Sequence, residues 1–209
     1  VKPRKFNRRH VIARLGALFS VPFLFGKSHA QILKTPNATE GPFYPKPSMR
    51  LADTDNDLVK IDGRVTEAGG EIITLKGVVS NKAGTPVKGL RVEIWQCDMN
   101  GKYFSPLDRQ NITHDIAFQG FGHDITTDKG EYSFRTIKPA KYPGRAEHIH
   151  VKVLQDETEI LTTQFYVDGQ TSNQNDWLYS RLSREEADSV TMKFKDVNGQ
   201  PEAVVNIVV

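Results

Sequence analysis

The sequence predicts an all-β protein, an antiparallel β-sandwich with long loops and little helix. Three observations carry this. About seven short stretches are rich in β-branched and aromatic residues, and turn residues punctuate them. No alternation of strands with 10–15-residue amphipathic helices suggests a parallel sheet.

Taken in order, residues 1–30 stand apart. Lys2, Arg4, Lys5, Arg8 and Arg9 form a basic start, Val11 to Phe25 is mostly apolar, and Ser28-His29-Ala30 offers a small-x-small cleavage site before Gln31. This is the layout of an export signal, and Arg8-Arg9 ahead of the apolar run gives it a twin-arginine character. The run is short for a bilayer span and contains Pro22, so no stable membrane span is expected after cleavage. The expected location is periplasmic or extracellular.

The signal also holds the chain's basic excess. Residues 31–209 carry 21 Lys or Arg against 25 Asp or Glu, a formal net charge of −4. No basic patch with interleaved aromatics remains, so no nucleic-acid partner is expected. Cys97 is the only cysteine and has no intrachain disulfide partner.

Residues 31–49 read as an extended N-terminal arm. Pro42, Pro45 and Pro47 disfavour helix and central strand, while Phe43 and Tyr44 bring apolar surface to bury. Residues 50–209 then form one sandwich domain. It opens with a polar, turn-rich connection over 52–70. Strands are expected over Glu71–Ser80, over the Leu90-Val92-Ile94 alternation, and over Glu131–Ile137, Glu147–Leu154 and Ile160–Val167. Tyr103 to Gly122 reads as a long functional loop, kept ordered by its aromatic residues. A short helix is expected within Asn175–Glu186, with Ser183 and Glu186 spaced for a capping box. Strands over Val190–Phe194 and Ala203–Val209 flank the hairpin signal Asn198-Gly199.

The chemistry centres on His148-Ile149-His150. In a strand, side chains two apart share a face, so both imidazoles point one way with Lys152, opposite Ile149, Val151 and Val153. They are expected to face a polar cavity or solvent. Tyr142, held extended by Pro143, lies just upstream, and Tyr103 opens the long loop. Two imidazoles with phenols suit a hard trivalent ion. A carboxylate from Asp124 or Glu147 would instead complete a two-histidine, one-carboxylate set, and spacing leaves that open. His114 and His123 are expected to be solvated or to stand behind the ligands rather than among them.

Several stretches together resemble the intradiol ring-cleavage dioxygenases, the family of protocatechuate and catechol dioxygenases. They are Gly41-Pro42-Phe43-Tyr44, Val92-Glu93-Ile94-Trp95-Gln96 with Gly101-Lys102-Tyr103, Thr127 to Ile137, Pro139 to Pro143, Arg145 to His150 and Thr162 to Tyr166. The resemblance implies one Fe(III) per chain, with Tyr103, Tyr142, His148 and His150 as protein ligands. Tyr142 and His150 would be axial, and Tyr103 and His148 equatorial with a hydroxide. It implies that Arg145 and Gln164 line the reaction pocket, that Tyr44 contacts substrate, and that Tyr142 leaves the metal as substrate enters. The implied reaction uses O2 to cleave a catecholic ring between its hydroxyl-bearing carbons, giving a cis,cis-muconate-type diacid.

Two departures from the better-known members stand out. Only Gly144 to Glu147 separates Tyr142-Pro143 from His148, where those enzymes have a longer, tryptophan-containing insertion. No N-terminal helical dimer domain of the catechol type is expected, since residues 31–47 are short and proline-rich, and oligomerisation is left open. A carboxylated ring would need a fixed cation, for which Lys102, Arg109 and Lys141 are the candidates. The competing readings are a non-catalytic β-sandwich binding protein and a different histidine-based metalloprotein of the same fold.

Overall fold

The computed structural model describes residues 32–209; the expected export signal over 1–30 lies outside the described residues. Ten strands form two five-stranded sheets. In the first sheet β1 (Ile72–Ser80) pairs antiparallel with β4 (Glu131–Ile137) along one edge. Its other edge takes β9 (Gln200–Val204) and then β10 (Ile207–Val208), and β8 (Phe194–Val197) closes the sheet beside β9. The second sheet runs β3 (Phe121–Ile125), β2 (Arg91–Trp95), β5 (His148–Gln155), β6 (Thr158–Val167), β7 (Thr191–Met192).

The sandwich follows from alternation. Along β1 every second residue is buried, as a strand with one covered face requires. Ile73, Leu75 and Val79 meet Val92, Ile94, Ile149, Val151, Val153 and Phe165 in the main core. Leu58 and Val59, fully buried, enter that core from the connection over 52–70, which is therefore not purely polar.

The sheets are not wholly antiparallel as expected. β1–β9, β1–β10 and β6–β7 run parallel. The segment between β6 and β7 contains α1 (Ser172–Asn175), a 3-10 turn (Tyr179–Arg181) and α2 (Arg184–Ser189), and it is long enough for the crossover a parallel pair needs. The Ser183–Glu186 capping box forms at the start of α2. Val190–Phe194 splits between two sheets, and Ala203–Val209 breaks at Val205-Asn206. β3 begins inside the expected loop; Gly122, His123 and Asp124 give it no apolar alternation to read. The β8–β9 hairpin turns on Asn198 and Gly199, both at positive φ (55° and 84°), as a two-residue primed turn demands.

Of the two surroundings expected for the outer face of the second sheet, a polar cavity or solvent, the histidines meet a cavity. His148, His150 and Lys152 are all buried. The arm over residues 39–50 covers them. The Lys152 ammonium pairs with Glu40 and with Glu159 and lies 3.8 Å from the Tyr44 ring centroid. These partners let a charged group sit beneath the arm without the cost of an unpaired buried charge.

Candidate metal centre

Strand register builds one wall of the site. Phe121, Trp95, His150 and Gln164 stand opposite one another across β3, β2, β5 and β6. The His150 ring stacks on Trp95 (centroids 4.7 Å apart, 10° between planes), which fixes its orientation. His148 Nδ1 lies 2.6 Å from the Ala146 carbonyl oxygen. A proton donated there leaves Nε2 with a free lone pair, the usual way a ligating imidazole is aimed.

The long loop delivers Tyr103. The buried Asp108 carboxylate accepts hydrogen bonds from the Tyr103 and Gln110 backbone N–H groups (2.8 and 3.0 Å) and pairs with Lys102. Asp98 accepts from the N–H groups of Asn100 and Lys102, 2.9 Å each. Gly101, at φ +77°, passes so close to Lys141 that a Cβ would lie 2.5 Å from its carbonyl oxygen. That approach sets the Tyr103 loop against the Tyr142 segment. The Tyr103 and Tyr142 rings meet edge-on at 5.5 Å, and Phe43 from the arm stacks on Tyr103 at 4.5 Å.

Three donor atoms converge. His148 Nε2 is 3.1 Å from His150 Nε2 and 3.4 Å from the Tyr103 hydroxyl. Burial holds all three groups neutral. It lowers His148 to about 4, with Arg145 adding to the effect, pushes His150 well below the ordinary imidazole range, and raises Tyr103 well above that of a free phenol. Tyr142 is half-buried on the rim of the same cavity, its phenol raised mainly by burial.

The cavity is about 330 Å³, near the lower end of small-molecule sites (about 300–1,000 Å³). Its walls include Pro42, Phe43, Tyr103, Tyr142, Arg145 and Trp177. Arg145 donates from Nε to Asp176 (2.8 Å) and from Nη2 to the Gln164 side-chain oxygen (2.6 Å). Gln164 also donates to the Thr39 carbonyl and accepts from Tyr166, so it holds Arg145 and the arm from behind and does not line the cavity. Tyr44 also stands off the cavity: its hydroxyl donates to Glu93 (2.7 Å) and accepts from Arg50 (2.9 Å), and its ring packs edge-on against Trp95. Glu147 is engaged by Ser172, and Asp124 accepts from the Ser133 backbone. Neither carboxylate joins the imidazoles, and among the described residues no three His, Cys, Asp or Glu side chains gather. His123 is bound to the Thr54 carbonyl and His114 packs beside Phe104, both outside the site.

The sequence reading missed Asp176, Trp177 and Asp108. Asp176 and Trp177 sit in an irregular stretch with no periodicity to single them out. Asp108 carried one weak signal, an acid inside a loop otherwise read for its aromatics.

A β-sandwich with paired imidazoles and phenols on its arm-covered face defines the class: the chain belongs to the intradiol ring-cleavage dioxygenases. The dioxygenase family model matches residues 39–208. Among individual relatives, the protocatechuate 3,4-dioxygenase beta chain of Burkholderia cepacia is 35% identical over 127 residues, 57% of this chain and 54% of that one. The catechol 1,2-dioxygenase of Acinetobacter baylyi is 29% identical over 194 residues, 79% of this chain and 58% of that one. The solved dioxygenase domain of a dioxygenase–carbohydrate-binding protein fusion from Streptomyces sp. SirexAA-E superposes with a TM-score of 0.64 at 29% identity, covering 84% of this chain and 97% of that domain. The chain spans little more than half the length of these two curated relatives.

The residues present fit the iron that this family implies. Ligands about 2.0–2.2 Å from a shared centre lie about 3 Å from one another when the angle between them is near 90°, which is close to the spacing of His148 Nε2 from the other two donors. The hard phenol oxygen and neutral imidazole nitrogens make a donor set suited to iron. No protein atom satisfies His150 Nδ1, so ring packing against Trp95, His148 and Tyr103 fixes that ring.

Proposed function

We propose that this protein is a non-haem Fe(III) dioxygenase that cleaves a catecholic ring between its two hydroxyl-bearing carbons, with Tyr103, Tyr142, His148 and His150 holding one iron per chain. The observation carrying the proposal is the approach of His148 Nε2 to His150 Nε2 (3.1 Å) and to the Tyr103 hydroxyl (3.4 Å) in the wall of a small aromatic cavity. Ferric iron would supply a Lewis acid that stabilises the catecholate dianion and couples the ring to dioxygen.

The chain's own residues divide the remaining work. His148 and His150, kept neutral by burial, offer lone pairs without first losing a proton. Tyr103, clamped through Asp108 and Phe43, is the fixed phenol. Tyr142 lies at the rim, where, held by the iron as a phenolate, it would be the ligand to leave and take a proton from the entering diol. Arg145, held in plane by Asp176 and Gln164, stabilises negative charge that develops on the ring. Phe43, Pro42 and Trp177 confine the ring and limit water. Export belongs to the same proposal, supported by the signal layout of residues 1–30.

Colour and oxygen uptake test this together. Ferric-loaded protein should be burgundy, with a broad tyrosinate-to-iron band, and should consume O2 with at least one member of a diphenol panel while forming a muconate-type product. Colourless protein with stoichiometric ferric iron, or no uptake from any diphenol, would remove the proposal.

A further inference from the structure

The cavity's charge differs from what its lone arginine suggests. Arg145 is the one cationic side chain among the described residues lining it. Its Nε donates to Asp176, which is fully buried on the side-chain level (0% exposed), and its Nη2 lies 3.5 Å from the same carboxylate. Asp176 also accepts from the N–H groups of Ala146, Leu178 and Tyr179 (2.9, 2.9 and 3.2 Å). Those donors hold the carboxylate ionised in its buried position. The pair therefore carries no net charge.

The other candidate cations are committed elsewhere. Lys102 Nζ donates to the carbonyls of Asp108 and Gln110, at 2.6 Å each, and is tied into the long loop. Lys141 lines another cavity, whose walls include Arg145 and Asp176. Arg109 is exposed on the loop. Arg181 lies over the Trp177 ring, 5.2 Å from its centroid. Against this, Pro42, Phe43 and the half-exposed Trp177 present apolar surface.

Resting on the dioxygenase reading above, we infer that Asp176 and Trp177 are specificity-determining residues, and that this site takes uncharged catechols, with tolerance for an apolar ring substituent, and disfavours carboxylated ones. A ring carboxylate entering the cavity sheds water and meets a cation already neutralised, so nothing offsets its desolvation. The arginine still polarises its immediate neighbourhood, which suits charge that appears transiently and spreads over a ring. An apolar substituent instead gains contact with the Trp177 face. Asp176 acts through Arg145 and is a positioning residue; Trp177 touches the substrate.

Anaerobic titration of the ferric protein decides it, with binding read from the shift of the visible band and oxygen uptake measured in parallel. Catechol and 4-methylcatechol should bind at least tenfold more tightly than protocatechuate. In Asp176→Asn, which frees the Arg145 charge, that ratio should shrink at least threefold in the binding titration. In Trp177→Ala the 4-methylcatechol advantage over catechol should vanish, while the discrimination against protocatechuate stays. Protocatechuate binding as tightly as catechol to the unaltered protein would overturn the inference while leaving the dioxygenase reading intact. If no diphenol perturbs the band or consumes O2 with iron loaded, both fall together.

Discussion

At the residue scale, the site couples burial to protonation. His148 and His150 sit where a charged imidazole is disfavoured, so the folded chain binds fewer protons there than the unfolded chain does. The folded value for His148 is about 4, against about 6.5 unfolded. Between these values the unfolded state holds the extra proton, so stability rises with pH across the window and falls as pH drops below about 6.5. Each histidine contributes a slope of up to about 1.4 kcal/mol per pH unit. Urea denaturation of metal-free protein at pH 7, 5.5 and 4.5 should show this loss, and His148→Gln should flatten it. Asp176 has the same sign at lower pH. Burial alone would raise its carboxyl, yet hydrogen bonds from Arg145 and the Ala146 N–H outweigh that and leave it below the ordinary range. Its contribution is present above the unfolded value of about 3.9 and is lost only as pH falls below that. Tyr103→Phe removes the buried phenol; the variant should fold, bind iron more weakly and lose much of the visible band. An unchanged spectrum would take Tyr103 off the metal.

Elements place these residues, and their tolerance should follow the tightness of that placement. Gly101 combines a positive φ with a close approach to the Lys141 carbonyl. Gly101→Ala strains the backbone and forces the loops apart, at a cost of about 1–3 kcal/mol. The thermal midpoint should fall, and iron occupancy should fall with it because Tyr103 and Tyr142 no longer meet. Asp108 is the loop's internal anchor. Asp108→Ala leaves the Tyr103 and Gln110 N–H groups without their acceptor. A several-fold weaker iron affinity is expected, with far-UV circular dichroism unchanged; equal affinity would show that Phe43 stacking suffices to hold the phenol. The strands carrying the histidines were legible because Ile149, Val151 and Val153 alternate with them. The burial of the opposite face was not, since it depends on an arm about a hundred residues away. Lys152 reads as a solvent residue until Glu40 and Tyr44 are found above it.

The whole molecule explains what could be read and what could not. Local alternation, the Asn198-Gly199 turn and the Ser183–Glu186 cap are short-range signals, and each appears as written in the chain. Parallel pairing of β9 and β10 with β1, and of β7 with β6, is a long-range outcome that no local window encodes. The ordered motifs carried the metal-centre candidates, whereas the groups that orient them, Asp176 and Asp108, lie between motifs. Tyr44 shows the reverse: a residue inside a motif that supports the arm through Glu93 and Arg50 without facing the cavity. The arm itself is stapled to the far end of the chain. The Thr35 N–H donates to the Val208 carbonyl (3.1 Å) and the Val208 N–H to the Thr35 hydroxyl (2.8 Å). Removing residues 207–209 would unfasten this clasp and leave the arm tied to β5 and β6 through Ala38, Thr39 and Glu40, so the chamber's roof should loosen and iron should be lost more readily.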